Sequence, residues 1–399
     1  MRARRRKRQP TRHGTSLRVE GPCTLTDATR IAMVAPSLNP AHPGFRYRCD
    51  APAAELRRRG WRVRTTTLPQ LAAEPLVIAM SDVCLGAADD AAQALHTLAQ
   101  CRRQGARLVV TESDHRLYNP LGNAELQRKA QAVRRLYELA DEIVTTTEPL
   151  TAFMREVVPA STPITIVPDA LERPQALQPR GLLRRVASWR HRAPHRALQA
   201  LRQGLQQQPP GSLRVVWFGG HGTGRGEEGG MLDLLTLQAA LEAAHPQRPL
   251  SLTVISDNRA KFEQAIRPLR VPTFYLDWNR LTFHAALRLH HACVIPVRPS
   301  PWTVCKSNNR LVTALHAGLV CVADSIPSYE PFSDLALIGP CASHLTRALA
   351  DIDRLRAQAP ANVRAVEARW DITQVGNAWE ALVRQNLARM HPTPARSAA

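Results

Sequence analysis

The chain has 399 residues, more than the roughly 250–300 at which a single core stops growing, so two domains are expected. Apolar residues make up 44%, which excludes a disordered chain, and no apolar run reaches the ~18 residues of a membrane span. The formal charge of +20 is concentrated in a tail and a connector: residues 1–30 carry nine Arg and Lys against Glu20 and Asp27, and residues 173–214 carry nine Arg and no acid.

Nucleic acid is an unlikely partner for this excess. There is no helix-turn-helix, zinc-finger or RNP pattern, and aromatics are only 5%. An anionic membrane surface is an equally good partner for such segments, at about 1 kcal/mol per basic residue near the lipid, and a solvated Arg-rich tail is the plainest reading. The eight cysteines form no CxxC pair, and Cys293 and Cys321 lie in apolar runs. They read as reduced core thiols of a cytoplasmic protein. The basic N-terminus lacks an apolar h-region and is not a secretory signal.

In chain order, residues 1–29 show no periodicity and read as a disordered basic tail. An N-terminal domain is expected over 30–172. It opens with a short buried strand from Arg30, then a loop over 37–50. A helix, APAAELRRRG, is closed by Gly60 as its C-cap. Strands follow at 61–66, 75–80, 106–113 and 162–169, separated by helical stretches. The connector, 173–212, holds a short amphipathic helix around Leu183, Val186 and Trp189 that Pro194 should end or kink. It is read as an ordinary connector helix packed on a domain, with an interfacial helix on anionic lipid as the other reading. A second domain spans 213–365, with strands at 213–220, 250–257, 271–278, 291–297 and 318–324. C-terminal helices at 366–391 carry Trp370 and Trp379 and are candidates to cross back to the first domain. Residues 392–399 read as frayed. Strands alternating with helices point to α/β domains with parallel, doubly wound sheets.

Such sheets bind ligands beyond the carboxyl ends of their strands, where loops enter helices whose free N–H groups attract phosphate. Four of these loops stand out. In CKSNNRLVTALHAG (305–318), Ser307, Asn308 and Asn309 are good N-cap residues for a helix from Arg310. Lys306 and Arg310 sit at that start, where cations are disfavoured unless an anion shares the site. The loop FGGHGTGRGEEGG (218–230) lets backbone approach a ligand at Gly219 and Gly220, and Arg225 is a weaker candidate. It is not a P-loop. In SLNPAHPGFRYRCD (37–50), Gly44, Arg46 and Arg48 are candidates to contact an anionic acceptor or donor phosphates, or are surface residues of a first helical turn. In VVTESDHRLYNP (109–120), Asp114 and His115 follow a buried strand. Either could act as general base on a hydroxyl, position a sugar, or cap the next helix.

KSNNRLVTALHAGLVCVADSIPSYEPF resembles the donor-domain signature of a bacterial group of GT-B glycosyltransferases related to glycosyltransferase family 4. RYRCDAPAAELRRRGW and RRLYELADEIVTTTEPLTAFM resemble its first-helix segment and its "helix, Ala-Asp, strand, Thr-Thr" segment. The resemblance implies two Rossmann-like domains facing a cleft and a nucleotide-sugar donor held by Gly219, Gly220, Lys306, Ser307, Asn308, Asn309, Arg310, Ser325 and Glu330. It implies transfer to a hydroxyl acceptor, with a lipid-linked one as a candidate, in cell-surface glycan or glycolipid synthesis, and it favours retention of configuration. One departure is clear: family members carry a spaced Glu pair on this loop and helix, and here Cys305 and Thr313 stand in those places. A catalytically inactive nucleotide-sugar-binding or scaffold protein is the alternative. An epimerase on the same fold is a third. No metal or cofactor is expected, since no Asp-X-Asp element follows a strand and His290-His291 lacks a third ligand. Trp278 is a candidate to flank the nucleotide base. No Gly-X-Ser-X-Gly elbow is present. The expected place is cytoplasmic, with a peripheral position on the inner membrane face as an extension.

Overall fold

The structure, a computed structural model, describes residues 30–174, 183–222 and 229–390, with only the backbone given for 183–191. The tails at 1–29 and 392–399, Arg225 and the side chain of Trp189 lie outside the described residues.

Two six-stranded sheets form, and every pairing in them is parallel. The first has β1 (Arg30–Val34), β2 (Arg62–Thr66), β3 (Leu76–Met80), β4 (Arg107–Thr111), β5 (Glu142–Thr145) and β6 (Ile164–Ile166), in the order β2-β1-β3-β4-β5-β6. The second has β7 (Leu213–Phe218), β8 (Leu250–Ser256), β9 (Thr273–Asp277), β10 (Ala292–Ile295), β11 (Val320–Ala323) and β12 (Leu337–Ile338), in the order β12-β11-β10-β7-β8-β9. Helices cover both faces, so β3 and β8 are buried along their whole length. That is why they read as continuous apolar runs rather than alternating ones.

Strand order reverses beside β1 in the first sheet and between β7 and β10 in the second. At such switch points the loops diverge and leave a crevice beyond the strand ends. The loops after β1, β3 and β4 therefore line one wall of a cleft, and those after β7 and β10 line the other.

The chain crosses between the halves twice, at adjacent points. Ala170 packs with the first sheet and Leu171 with the second. On the return, Trp370 stacks on Phe332 of the second half at 4.1 Å, while Trp379 is buried against the first sheet. The boundary expected at 366 therefore lies inside the helix Ala359–Trp370, and the chain turns at Asp371. The Leu171 N–H donates to the Trp370 carbonyl at 2.7 Å, and Arg173 pairs with Asp371 at 2.7 Å, pinning the crossings together.

The last helix, Ile372–Met390, lays Val375, Trp379, Leu382, Val383 and Leu387 on the first sheet's core. Gly376 permits its close approach, because a Cβ there would stand 2.6 Å from Glu55 Cγ. Gly60, at φ +92°, follows the helix Ala51–Arg58 as the expected left-handed cap. Pro194 does not end its helix, which runs from Leu183 to Gln206. Leu198, Leu201 and Leu205 beyond the proline are buried in the second half's core, and that packing offsets the lost backbone hydrogen bond. Six of the eight cysteines are buried free thiols, as expected, and Cys101 is half-buried.

Trp379 couples the C-terminal helix to the first sheet at 1% exposure. Trp379→Ala should cost about 3–5 kcal/mol in urea unfolding, the range for losing a buried large aromatic. A change under about 1 kcal/mol would mean that this helix does not stabilise the first half.

Candidate active site

A cavity of about 870 Å³ lies between the two sets of strand ends. On the first wall, Pro43 starts a helix earlier than the loop expected over 37–50. A π turn, Arg46–Asp50, then leads into Ala51–Arg58. The wider turn carries Arg46 and Arg48 inward, and both are buried rather than at the surface of a first turn. Gly44, Arg46 and Arg48 all line the cavity. Each guanidinium already meets a carboxylate. Arg46 pairs with Glu172 at 2.6 Å, donates to the carbonyls of Pro40 and Ala41, and lies 4.9 Å over the Trp278 ring. Arg48 donates to the Val167 carbonyl at 2.7 Å and Thr111 Oγ1 at 3.0 Å, and pairs with Asp169 at 3.4 Å. Burial lowers its pKa, against the pull of Asp169.

After β4, Glu112 is fully buried and shapes the next loop. It accepts from the backbone N–H of Ser113 at 2.8 Å and of Asp114 at 3.1 Å, and from the Tyr137 hydroxyl at 2.6 Å. Burial raises its pKa, with Arg116 opposing. Arg116 bridges Asp82 at 2.8 Å, Asp114 at 3.4 Å and Glu112 at 3.5 Å. Desolvation lowers the Arg116 pKa, but these three carboxylates outweigh it and the net shift is upward. Asp114 lines the cavity; His115 does not, and its ring packs on Phe153 with centroids 3.5 Å apart.

On the second wall, Gly219, Gly220, Gly222, Gly229 and Gly230 line the cavity after β7. Gly230 has φ +86°, and a Cβ there would fall 2.5 Å from the Gly222 nitrogen, so the glycine loop is pinched at its base. Opposite, the segment after β10 delivers Lys306, Ser307, Asn309 and Arg310 to the same space. The helix starts at Asn309, one residue before the expected Arg310. Asn308 is its N-cap but makes no side-chain cap bond and does not line the cavity. Ser307 instead donates to Asp169 across the cleft at 2.6 Å. Lys306 forms an ion pair with Asp114 and lies 3.9 Å from the Trp302 ring centroid. Burial lowers the Lys306 pKa, with Asp114 opposing. Arg310 Nη1 is 3.5 Å from where a Cβ on Gly219 would stand. Among the described residues Arg310 makes no ion pair with a carboxylate.

Ser325 and Glu330 are exposed, hydrogen-bond to each other at 3.4 Å and lie off the cavity wall. Of the two positions where family members carry Glu, Thr313 lines the cavity. Cys305 is buried off it, with burial pushing its thiol up to about 11. Trp278 lines the cavity, although Arg46 covers one face of it.

Several residues in the cavity escape sequence reasoning. Asp82, Arg116, Asp169, Glu172 and Asp233 all line it. Asp169 lies just past β6, which is the signal that locates it. Asp233, nearly fully buried, pairs with Arg298 at 2.9 Å, and burial raises its pKa. Nothing in the sequence joins those two.

Solved structures share this arrangement. A sucrose-phosphate synthase from Thermosynechococcus elongatus superposes with TM-score 0.61 at 14% identity, over 90% of this chain and 100% of that one. A glycosyltransferase from Rickettsia africae gives 0.59 at 10% identity, over 90% and 99%. The trehalose-6-phosphate protein of E. coli bound with UDP-2-fluoro glucose gives 0.56 at 14% identity, over 90% and 99%. The fold is GT-B. No protein-family model and no curated protein sequence matches the chain. In this GT-B chain no helix among the described residues is long and apolar enough to cross a membrane.

The Arg48–Asp169 pair is nearly dry, at 1% and 4% side-chain exposure. Arg48→Met should destabilise the protein by about 3–5 kcal/mol, because Asp169 is left charged and buried without its cation. Adding Asp169→Asn should recover part of that loss in the same urea titration. Equal stabilities of Arg48→Met and wild type would show that the pair does not hold the cleft wall.

Proposed function

We propose that the chain is a metal-independent glycosyltransferase that moves a sugar from a nucleotide-sugar donor to a hydroxyl acceptor. The observation that carries this reading is the convergence at one switch point of Lys306, Arg310 and the free N–H groups of the helix Asn309–His316 with the glycine loop at Gly219 and Gly220. A diphosphate suits such a site, because cations, helix N-terminus and exposed backbone N–H groups all favour negative charge there. Asp114 faces the same space from the other half.

In the reaction, the bond from the sugar's anomeric carbon to the diphosphate oxygen breaks and a bond to the acceptor oxygen forms. Lys306 and Arg310 stabilise the charge that collects on the departing diphosphate. Asp114 receives the acceptor hydroxyl's proton. His115, off the wall, would act only by fixing the loop that carries Asp114. The GT-B neighbours and the sequence resemblance support sugar transfer, and the resemblance favours retention. The bound UDP-2-fluoro glucose of the E. coli neighbour makes UDP-glucose the first donor to test.

The basic segments 1–12 and 180–196 would hold the enzyme against anionic lipid, which suits a lipid-linked acceptor in cell-surface glycan synthesis. Liposome cosedimentation tests this: binding to anionic but not neutral vesicles is expected, and no binding at low salt would leave the arginines a solubilising tail and linker.

A second reading, a nucleotide-sugar-binding protein without turnover, draws support from Thr313 and Cys305 standing where relatives of the resembling group carry Glu. Donor binding with no hydrolysis or transfer would favour it.

Thermal-shift and calorimetric titration with nucleoside diphosphates and their sugars tests the donor reading. Lys306→Ala should weaken nucleotide binding by about 1.5–3 kcal/mol, the range for a charge-assisted contact, with little change in fold stability. Unchanged affinity would remove Lys306 from the site. Activity should also survive EDTA, since Asp82, Asp114 and Glu112 each already pair with Arg116. An absolute requirement for added Mg²⁺ or Mn²⁺ would overturn that part of the reading.

A further inference from the structure

We propose that Lys306 is a shared cation that passes between Asp114 and the donor diphosphate, so that Asp114 sets donor affinity and donor binding readies Asp114 for the acceptor. The inference rests on the donor reading above.

Lys306 comes from the second half and Asp114 from the first, and their ion pair spans the cavity that both line. Neither is sealed. Their side chains are 30% and 20% exposed, so a ligand in the cavity reaches both. Lys306 also lies against the Trp302 ring and within the field of Arg310. Two cations at one helix start repel, and a carboxylate relieves only part of that repulsion. A diphosphate carries more charge than one carboxylate and so takes Lys306 from it. Lysine suits the exchange, because its ammonium is a point charge on a flexible stem with rotatable donors, whereas a guanidinium fork is fixed to one geometry.

Asp114 does not collapse when Lys306 leaves. Arg116 remains at 3.4 Å, and Asp82 and Glu112 hold that guanidinium in turn. With Lys306 gone, the carboxylate binds a proton more readily, as a base facing an acceptor hydroxyl requires. Arg116 is therefore a positioning residue, and binding is ordered with the donor first.

Calorimetric titration with UDP, GDP and ADP on wild type, Asp114→Asn, Lys306→Ala and the double variant tests this. Asp114→Asn removes the competitor, so the nucleoside diphosphate that binds wild type should bind it roughly fivefold tighter or more, the scale of a part-exposed ion pair. In the Lys306→Ala background the same change should have no effect. Binding of the bare nucleoside should be indifferent to Asp114, since only phosphates meet Lys306. Asp114→Ala serves as the second variant should Asp114→Asn not fold, as judged by thermal unfolding. Unchanged or weaker diphosphate binding by a folded Asp114 variant overturns the exchange, and so does an equal gain without Lys306. If wild type binds none of the three nucleotides, the donor reading itself falls.

Discussion

The cleft depends on the compensation of charges withdrawn from water. An ion taken into a protein interior costs several kcal/mol unless partners replace its hydration. Arg48 and Asp169 show how this constraint organises the molecule. Arg48 sits on the π turn of the first half and meets the Val167 carbonyl, Thr111 and one Asp169 oxygen. The other Asp169 oxygen takes the Ser307 hydroxyl of the second half. A single buried carboxylate is thus satisfied only when the two halves stand in one relation, and that relation sets the width of the cavity.

The same arrangement recurs along the cleft. Arg46 and Glu172 form a pair from the first half and the crossing segment, and Arg46 also lies over Trp278 of the second half. Arg280 of the second half reaches Glu172 at 3.8 Å. Thr147 donates to the Cys305 carbonyl at 3.1 Å. Polar contacts across the cleft therefore fix orientation, together with the apolar packing of Val304 and Cys305 against the first half's core. On the first wall every arginine faces carboxylates: Arg46 with Glu172, Arg48 with Asp169, and Arg116 with Asp82, Asp114 and Glu112. On the second wall, Arg310 has no carboxylate partner among the described residues.

Sequence pattern made the repeated strand–helix plan legible, because strands covered on both faces are apolar throughout and stand out between amphipathic helices. The KSNNR segment was legible for two reasons: cations at a predicted helix start conflict with the helix dipole, and the segment carries the family resemblance. The two-residue β12 has too few residues for a pattern. Pro194 does not end its helix, since propensity knows nothing of the leucines that bury the helix beyond it. The sequence left Arg46 and Arg48 open between the cleft and the surface, because a π turn changes which residues share a face, and periodicity at 3.6 residues cannot register it. His115 and Asp114 are adjacent and equally polar, yet only packing against Phe153 separates them. Ion pairs such as Lys306 with Asp114 join residues far apart in sequence, and no local signal connects them.

The exchange of Glu for Thr313 and Cys305 acquires a physical sense from this electrostatic arrangement. A carboxylate at position 313 would stand on the cavity wall, on the same helix as Arg310 and one turn away from it. At three-residue spacing the two would pair, as such residues do on any helix. Arg310 would then be neutralised like Arg46, Arg48 and Arg116. With threonine there, no carboxylate on this helix pairs with the guanidinium, and a hydroxyl stands on the cavity wall instead. The acid already present nearby, Asp233, does not cancel this, because Arg298 holds it and burial favours its proton.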